Sequence, residues 1–487
     1  VTARKFDHVI VGGGIAGLWL ARTLSSRGRS VALVERGARH AGDEGAAQPP
    51  LRFPERVNVG ATQARRHVLT GNGSVWGGAL VRNDPESLRV MFDVGSDDED
   101  LDRLLASYEI VERRLAAPAT RRFTLPAVPH APSVCEFSVL PGRRRNVAKM
   151  MLDACAGDDR VALFCPAEVV GLDLGPDGRL GALTVRDARG TDVALRGEHV
   201  VLAMGVVDAN IFARTRFSAA IDVPRCRSGT RLHDHWSIPV AKLRWKRGAG
   251  LDWLYPPTFR NGCIQGRRAE LSVDLPWGRR AGFVHLQAQY DLVEPYATIK
   301  RWMNARQEGR PWMQQAAFVL PLVRHAGLLA RLGWSRYLER RLFVADGMEL
   351  NVVLDFESFP SERNRIEIEA GGPSLYWDVR EQDVTAYRAL AFEALVRMTS
   401  WAETRGLDFE TLVDVGDAAA LERDLRTRAT DAYHLGGGLA VGRAPDWRFH
   451  RVRNLGVIGT AAFARPGIAN PVATILAMCE SYARRLG

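Results

Sequence analysis

At 487 residues the chain is too long for a single hydrophobic core, so two domains are expected. Its composition, 46% hydrophobic and 25% charged, is that of an ordinary globular protein, and no run of about eighteen uncharged apolar residues offers a membrane-spanning helix. The net charge of +10 comes almost wholly from arginine and carries no aromatic-spaced basic motif, which sets aside a nucleic-acid binder.

Residues 6–11 are an apolar run, read as a buried strand that starts too early to leave room for a signal peptide. The run breaks at Gly12-Gly13-Gly14-Ile15-Ala16-Gly17, and a helix follows with Ile15, Leu18, Ala21 and Leu24 on one side. A second strand over 30–34 ends in Glu35. A GxGxxG alone is weak evidence. Here a strand precedes it, a helix follows, and an acid closes the next strand, which is the context a dinucleotide needs. Gly12 permits the tight turn, Gly14 lets backbone approach a pyrophosphate, Gly17 allows close helix–strand packing, and Glu35 accepts from a ribose hydroxyl. Ile15, Ala16 and Arg36 flank these positions and belong to the same expected site.

Residues 38–70 show no period and read as a functional loop. They lead into a second glycine cluster, residues 70–79, which includes Gly73, Ser74, Trp76 and Gly77. Its glycines would let backbone approach a flat ligand, although taken alone it reads as a surface turn anchored by its Trp. Helices are expected over 98–117 and 143–157. Strands follow over 161–164 and 167–174, then 180–187 paired with 192–196, and a separate buried strand over 199–205 precedes a helix holding Ile211, Phe212 and Ala213. From 230 to 370 the pattern becomes a mostly antiparallel sheet, with strands at 238–245, 270–275, 282–290, 348–356 and 365–369. Such a sheet commonly walls a ligand. Residues 296–342 interrupt it as a basic helical insertion carrying Trp302, Trp312 and Trp334, read as a lid, a subunit contact or ordinary surface helices. A long helix over 383–405 stops at Gly406.

The C-terminal part holds Tyr433-His434-Leu435-Gly436-Gly437-Gly438 and, later, Gly467-Ile468-Ala469-Asn470-Pro471-Val472-Ala473-Thr474. Pro471 suits the first position of a helix and Asn470 its N-cap, with Val472, Ile475, Leu476 and Cys479 forming a core face. That helix start favours an electron-rich ligand. A neutral histidine opposite it is a base at ordinary pH, whereas an Asn side chain can only hydrogen-bond and hold a substrate oxygen. His233-Asp234-His235 places two imidazoles on one strand face, but with no matching ligand cluster no metal site is expected. The six cysteines (135, 155, 165, 226, 263 and 479) show no metal-ligand spacing and read as the buried thiols of a cytoplasmic protein.

Together these residues resemble the glucose–methanol–choline (GMC) oxidoreductases, flavoenzymes that oxidise alcohols. The likeness is dense at 12–35, at 71–79, at the strand end Ala203-Met204-Gly205, loosely at Pro360-Ser361-Glu362-Arg363-Asn364-Arg365-Ile366, and in the pair His434 and Asn470. Gly459-Thr460-Ala461 and Ser74-Val75-Trp76-Gly77 look more like the pyranose-oxidase and glycoside-3-oxidase branch. In that branch a His beside the Trp often bonds covalently to the flavin, and Val75 stands at that place here.

The resemblance implies an α/β fold: a Rossmann-like FAD-binding domain over 1–229 and 406–487, and an α+β substrate domain over 230–405. It implies FAD as cofactor, His434 as base and Asn470 as its partner. Val169, Gly205, Gly459, Thr460, Pro471 and Val472 join the expected cofactor site. The substrate would be a small-molecule alcohol, such as a sugar, glycoside, aminocyclitol or other polyhydroxylated compound, with oxygen or another acceptor reoxidising the flavin. A homo-oligomer built through 296–342 is possible on this reading. A lyase-type flavoprotein of the same fold and a flavin monooxygenase stay open as alternatives.

Overall fold

The computed structural model describes residues 3–40, 50–92, 99–124, 133–216, 228–248, 254–288, 298–299, 301–302, 311–313, 315, 320–439, 441, 447–449 and 452–486. The fold is mixed α/β, with a Rossmann-like domain and a second, sheet-rich domain.

The first sheet has seven strands. Strand Arg4–Val11 lies between Val31–Val34 and Asp192–Leu202, parallel to both, and Val161–Phe164 adds a further parallel strand beyond Val31–Val34. Central strands buried on both faces read as unbroken apolar runs, as Val31–Val34 does with all four residues buried. On the other side Asp192–Leu202 pairs antiparallel with Leu180–Asp187, and that strand with Ala167–Leu174. The sequence pattern suggested two strands, at 192–196 and 199–205. They are one strand, Asp192–Leu202, because its first half completes the meander while its second half continues beside Arg4–Val11. Leu455–Val457 then joins it in parallel and returns the chain to this core.

The second sheet has ten strands. The expected strands appear as His235–Arg244, Cys263–Leu275, Gly278–Ala288 and Glu349–Glu357. Segments outside 230–405 also enter it: Ala79–Leu80, Arg121–Thr124 and Ser133–Val139 from before, and Phe409–Thr411 and Thr430–Asp431 from after. Arg365–Glu369 does not; it pairs with Gly372–Tyr376 as a separate hairpin.

Alternation gives this sheet two different faces. Trp236, Ile238, Leu354, Phe356, Val284 and Leu271 point one way and pack on the helix Glu381–Thr404 through Ala386, Tyr387, Leu390 and Ala394. His235, Ser237, Asp355, Glu357, Phe283 and His285 take the opposite face. That second, polar face is turned towards the first domain.

The glycine-rich 433–438 segment runs where little room exists. A Cβ on Gly436 would lie 2.6 Å from His233 Cε1, and Gly438 has φ +90° with Asn210 packed against it. Much of 296–342 lies outside the described residues. Of its described part, Leu320–His325 and Ala326–Tyr337 are helical, and Trp312, Trp334 and Tyr337 are exposed. Among the described residues no helix is long and apolar enough to cross a membrane.

Candidate active site

One cavity of about 1080 Å³ runs between the two domains, just above the ~300–1,000 Å³ usual for small-molecule sites. Gly12, Gly14, Ile15, Ala16, Glu35 and Arg36 line its first end, Val169 and Gly205 the middle, and Gly459, Thr460, Pro471, Val472, His434 and Asn470 the far end. Trp76 and Gly77 line it too.

Gly17 lies behind this wall: a Cβ there would run into the Gly12 carbonyl, the close helix–strand packing that position requires. Gly73 and Ser74 are not in the lining. Gly73 packs against the helix Val147–Cys155, where a Cβ would lie 2.6 Å from Ala148 Cβ, and Gly71 and Asn72 face the cavity in their place. Val472, expected both on the core face and at the cofactor site, and Ile475, expected as core, line the cavity, while Leu476 and Cys479 are buried.

The first end fits a dinucleotide on structural grounds. Gly14 opens onto free space where a side chain would intrude, and Gly12 holds φ +114°, a conformation that favours glycine. Glu35 takes the amide of Gly13 on one oxygen and that of Gly37 on the other, both at 2.6 Å. Burial raises its pKa above the ordinary carboxylate value, and the two amides pull it back. Sequence reasoning missed Arg65 and Asp208, which line this end as an ion pair at 2.7 Å. They come from segments with no motif to mark them.

At the far end His434 Nε2 lies 3.1 Å from Asn470 Nδ2. Two neighbours from one short stretch hold the arrangement. Asp234 Oδ1 accepts the backbone amides of His235, at 2.7 Å, and of His434, at 2.9 Å. His235 places Nε2 2.7 Å from the Gly467 carbonyl and Nδ1 3.3 Å from His434 Nδ1. Tyr433, just before the histidine, has φ +63°, an uncommon conformation for a side-chain-bearing residue and of the kind that clusters at working sites. Burial drives the His434 pKa well below 6.5, with His235 and Arg268 adding to the shift, so the ring is neutral near pH 7.

The His233-Asp234-His235 stretch, where no metal site was expected, is thus in contact with His434. Its histidines flank a break between strands: His233 Nε2 lies 3.0 Å from the Phe463 carbonyl, while His235 reaches Gly467. Asp234, His235 and His434 bring possible ligand atoms within 4.8 Å of one another, a proximity that spacing did not reveal because His434 arrives from far along the chain. Hydrogen bonds already engage both imidazoles.

Asp355 also lines the cavity, with Oδ2 3.5 Å from His285 Nδ1 and Oδ1 buried without a hydrogen bond. Beside it Arg268 stacks its guanidinium 4.0 Å from the Phe283 ring centroid, and it shares the Glu270 carboxylate with Arg122. None of these residues belongs to a motif. Strand alternation would have marked their common face only once the strands' pairing was known.

The comparisons with known proteins agree with this architecture. Residues 10–65 match a family model for an NAD(P)-binding Rossmann-like domain, and residues 360–479 match the GMC oxidoreductase model. No curated protein matches. Among solved structures the chain is similar to pyridoxine 4-oxidase from Mesorbium loti, at 15% identity over 98% of both chains with a TM-score of 0.57. It is also similar to a fungal aryl-alcohol oxidase (15% identity, 99% of this chain and 98% of that one, TM-score 0.58) and to formate oxidase (14%, 100% and 98%, TM-score 0.54). At such identities the likeness concerns the fold.

A dinucleotide cradle opens into a site walled by a second sheet, and with the GMC oxidoreductase match over residues 360–479 this is an FAD-dependent oxidoreductase. That matching stretch contains both His434 and Asn470, and the cofactor is FAD.

Proposed function

We propose that the protein oxidises a hydroxyl group of a polyhydroxylated small molecule to a carbonyl, with His434 as the base. The observation that carries this reading is the His434–Asn470 pair at 3.1 Å on the cavity wall. Bound FAD supplies the hydride acceptor such a reaction requires. The chain's own residues deal with the proton and the oxygen. His434, kept neutral by burial, takes the hydroxyl proton at Nε2. Asn470 turns its amide from the imidazole to the substrate oxygen and holds it beside the base. The helix Pro471–Leu486 starts at the same point, and its free N–H groups favour negative charge there.

The polar sheet face supports a substrate rich in hydroxyls over an apolar alcohol. Asp355 lines the cavity, and a hydroxyl-rich substrate offers its carboxylate donors that an apolar alcohol lacks. A sugar, glycoside or aminocyclitol supplies them, in keeping with the resemblance to the sugar-oxidising branch.

The test is an anaerobic screen of polyols, glycosides, aminocyclitols and simple aryl or alkyl alcohols for bleaching of the bound flavin, followed by admission of air. The hydroxyl-rich compounds should bleach it at the lowest concentrations. Asp355→Asn should raise their half-saturation by about tenfold, the scale of one hydrogen bond to a charged group. Preferential bleaching by apolar alcohols would refute the substrate class, and return of colour in air would identify oxygen as an acceptor.

A further inference from the structure

We infer that His235 is a positioning residue that sets the tautomer of His434, through a one-way hydrogen-bond chain running from the Gly467 carbonyl to Asn470. The catalytic consequence rests on the reading of His434 as base; the tautomer does not.

The argument is one of donor and acceptor parity. A carbonyl oxygen only accepts, so His235 Nε2, 2.7 Å from Gly467 O, must carry a hydrogen. His235 is fully buried and its pKa is pushed down to about 4 by burial, so the ring is neutral and Nδ1 holds a lone pair. His434 Nδ1, 3.3 Å away, is therefore the N–H. Since His434 is also neutral, its Nε2 is left bare, and Asn470 Nδ2 donates to it at 3.1 Å. Reversing any one link sets two lone pairs or two hydrogens face to face. The rings meet edge to face, at 90° with centroids 5.2 Å apart, as a nitrogen-to-nitrogen contact of this kind allows.

The same chain joins three distant segments. Asp234 ties the backbones of His235 and His434 together, and His235 reaches Gly467, three residues before Asn470. The other charged groups facing the pair are Arg268, which disfavours a positive imidazole, and Asp355, which favours one. The geometry has a use in catalysis. When His434 gains a proton at Nε2, its Nδ1–H already points at the bare nitrogen of His235, so the new positive charge meets a lone pair rather than a second N–H.

Long-range proton–nitrogen spectra of holoenzyme carrying ring-15N histidine would decide it, with signals assigned from the His434→Ala and His235→Asn spectra. His434 should show a protonated Nδ1 and a bare Nε2, and His235 the reverse. A proton on His434 Nε2, or on His235 Nδ1, in the resting enzyme overturns the inference. In kinetics His235→Asn keeps an oxygen acceptor for the His434 Nδ1–H and should retain the wild-type tautomer. His235→Leu removes the acceptor and should slow anaerobic flavin reduction at least ~10-fold at saturating substrate, short of the ~100-fold floor for losing the base, with half-saturation unchanged. A flavin-loaded His235→Leu enzyme that reduces at the wild-type rate also overturns it. A wild-type rate in His434→Ala would strike down the base assignment alone, leaving the tautomer to the spectra.

Discussion

Replacing His434 with alanine removes the imidazole and little else. The backbone amide that Asp234 holds at 2.9 Å survives the change, as does the glycine segment behind it, so the loop keeps its anchor. Among the cavity residues, those of the dinucleotide end lie on other segments and keep their contacts. The variant should therefore fold and bind FAD. What it loses is the proton acceptor, and a positioned general base contributes ~100- to 10,000-fold. At ~1.36 kcal/mol per decade that raises the barrier by about 2.7–5.4 kcal/mol. The assay is stopped-flow absorbance of flavin reduction without oxygen, at saturating substrate, so that neither binding nor reoxidation enters. In the wild type this rate should not fall between about pH 8 and 6.5, because the neutral form of His434 persists well below 6.5. A variant that reduces at the wild-type rate, or a wild-type acid limb centred at the ordinary histidine value, would refute the reasoning.

Other expectations follow from the same geometry. FAD should be held without a covalent bond, since Val75 lines the cavity beside Trp76 where a linking histidine would stand; acid precipitation should release yellow cofactor, and a coloured pellet would contradict this. Gly17→Ala drives a methyl into the Gly12 carbonyl and should cost about 1–3 kcal/mol in apoprotein stability, whereas Gly14→Ala, which faces open space, should weaken FAD binding with the apoprotein melting temperature unchanged. Stability should fall with acid. His8 and His235 have folded pKa values lowered to about 4, and His233 to about 3, so the unfolded state binds more protons below 6.5 and each site's contribution, full above that value, is lost as pH drops. Thermal melts from pH 7 to 4 should show this, and His233→Gln should flatten the slope.

The N-terminal cradle was legible because its chemistry is local. Gly12, Gly14, Gly17 and Glu35 lie within one strand–helix–strand unit, so their spacing states the turn, the close packing and the acid at the strand end together. His434 and Asn470 were legible for a similar reason, each sitting in a short glycine-rich or proline-marked segment. Strand extents were less so: the pattern split Asp192–Leu202 because polar residues such as Arg196 and Glu198 interrupt it, and only pairing with two different neighbours shows it whole.

The sequence alone could not disclose what faces the active site from the second sheet. His235, Asp355 and His285 occupy ordinary strand positions, and whether alternate residues meet the cavity or the helix Glu381–Thr404 depends on register and on which face that helix covers. The same holds for the contact between His434 and His235, which arises because Thr430–Asp431 pairs with Trp236–Ser237 and Gly436–Gly438 with Thr230–His233, bringing the C-terminal loop against the start of that strand. Local spacing thus marked the cofactor cradle and the two segments that carry His434 and Asn470. Tertiary pairing decided which second-sheet residues meet the cavity and which ring His434 contacts, because both depend on atoms that come together from segments far apart in the chain.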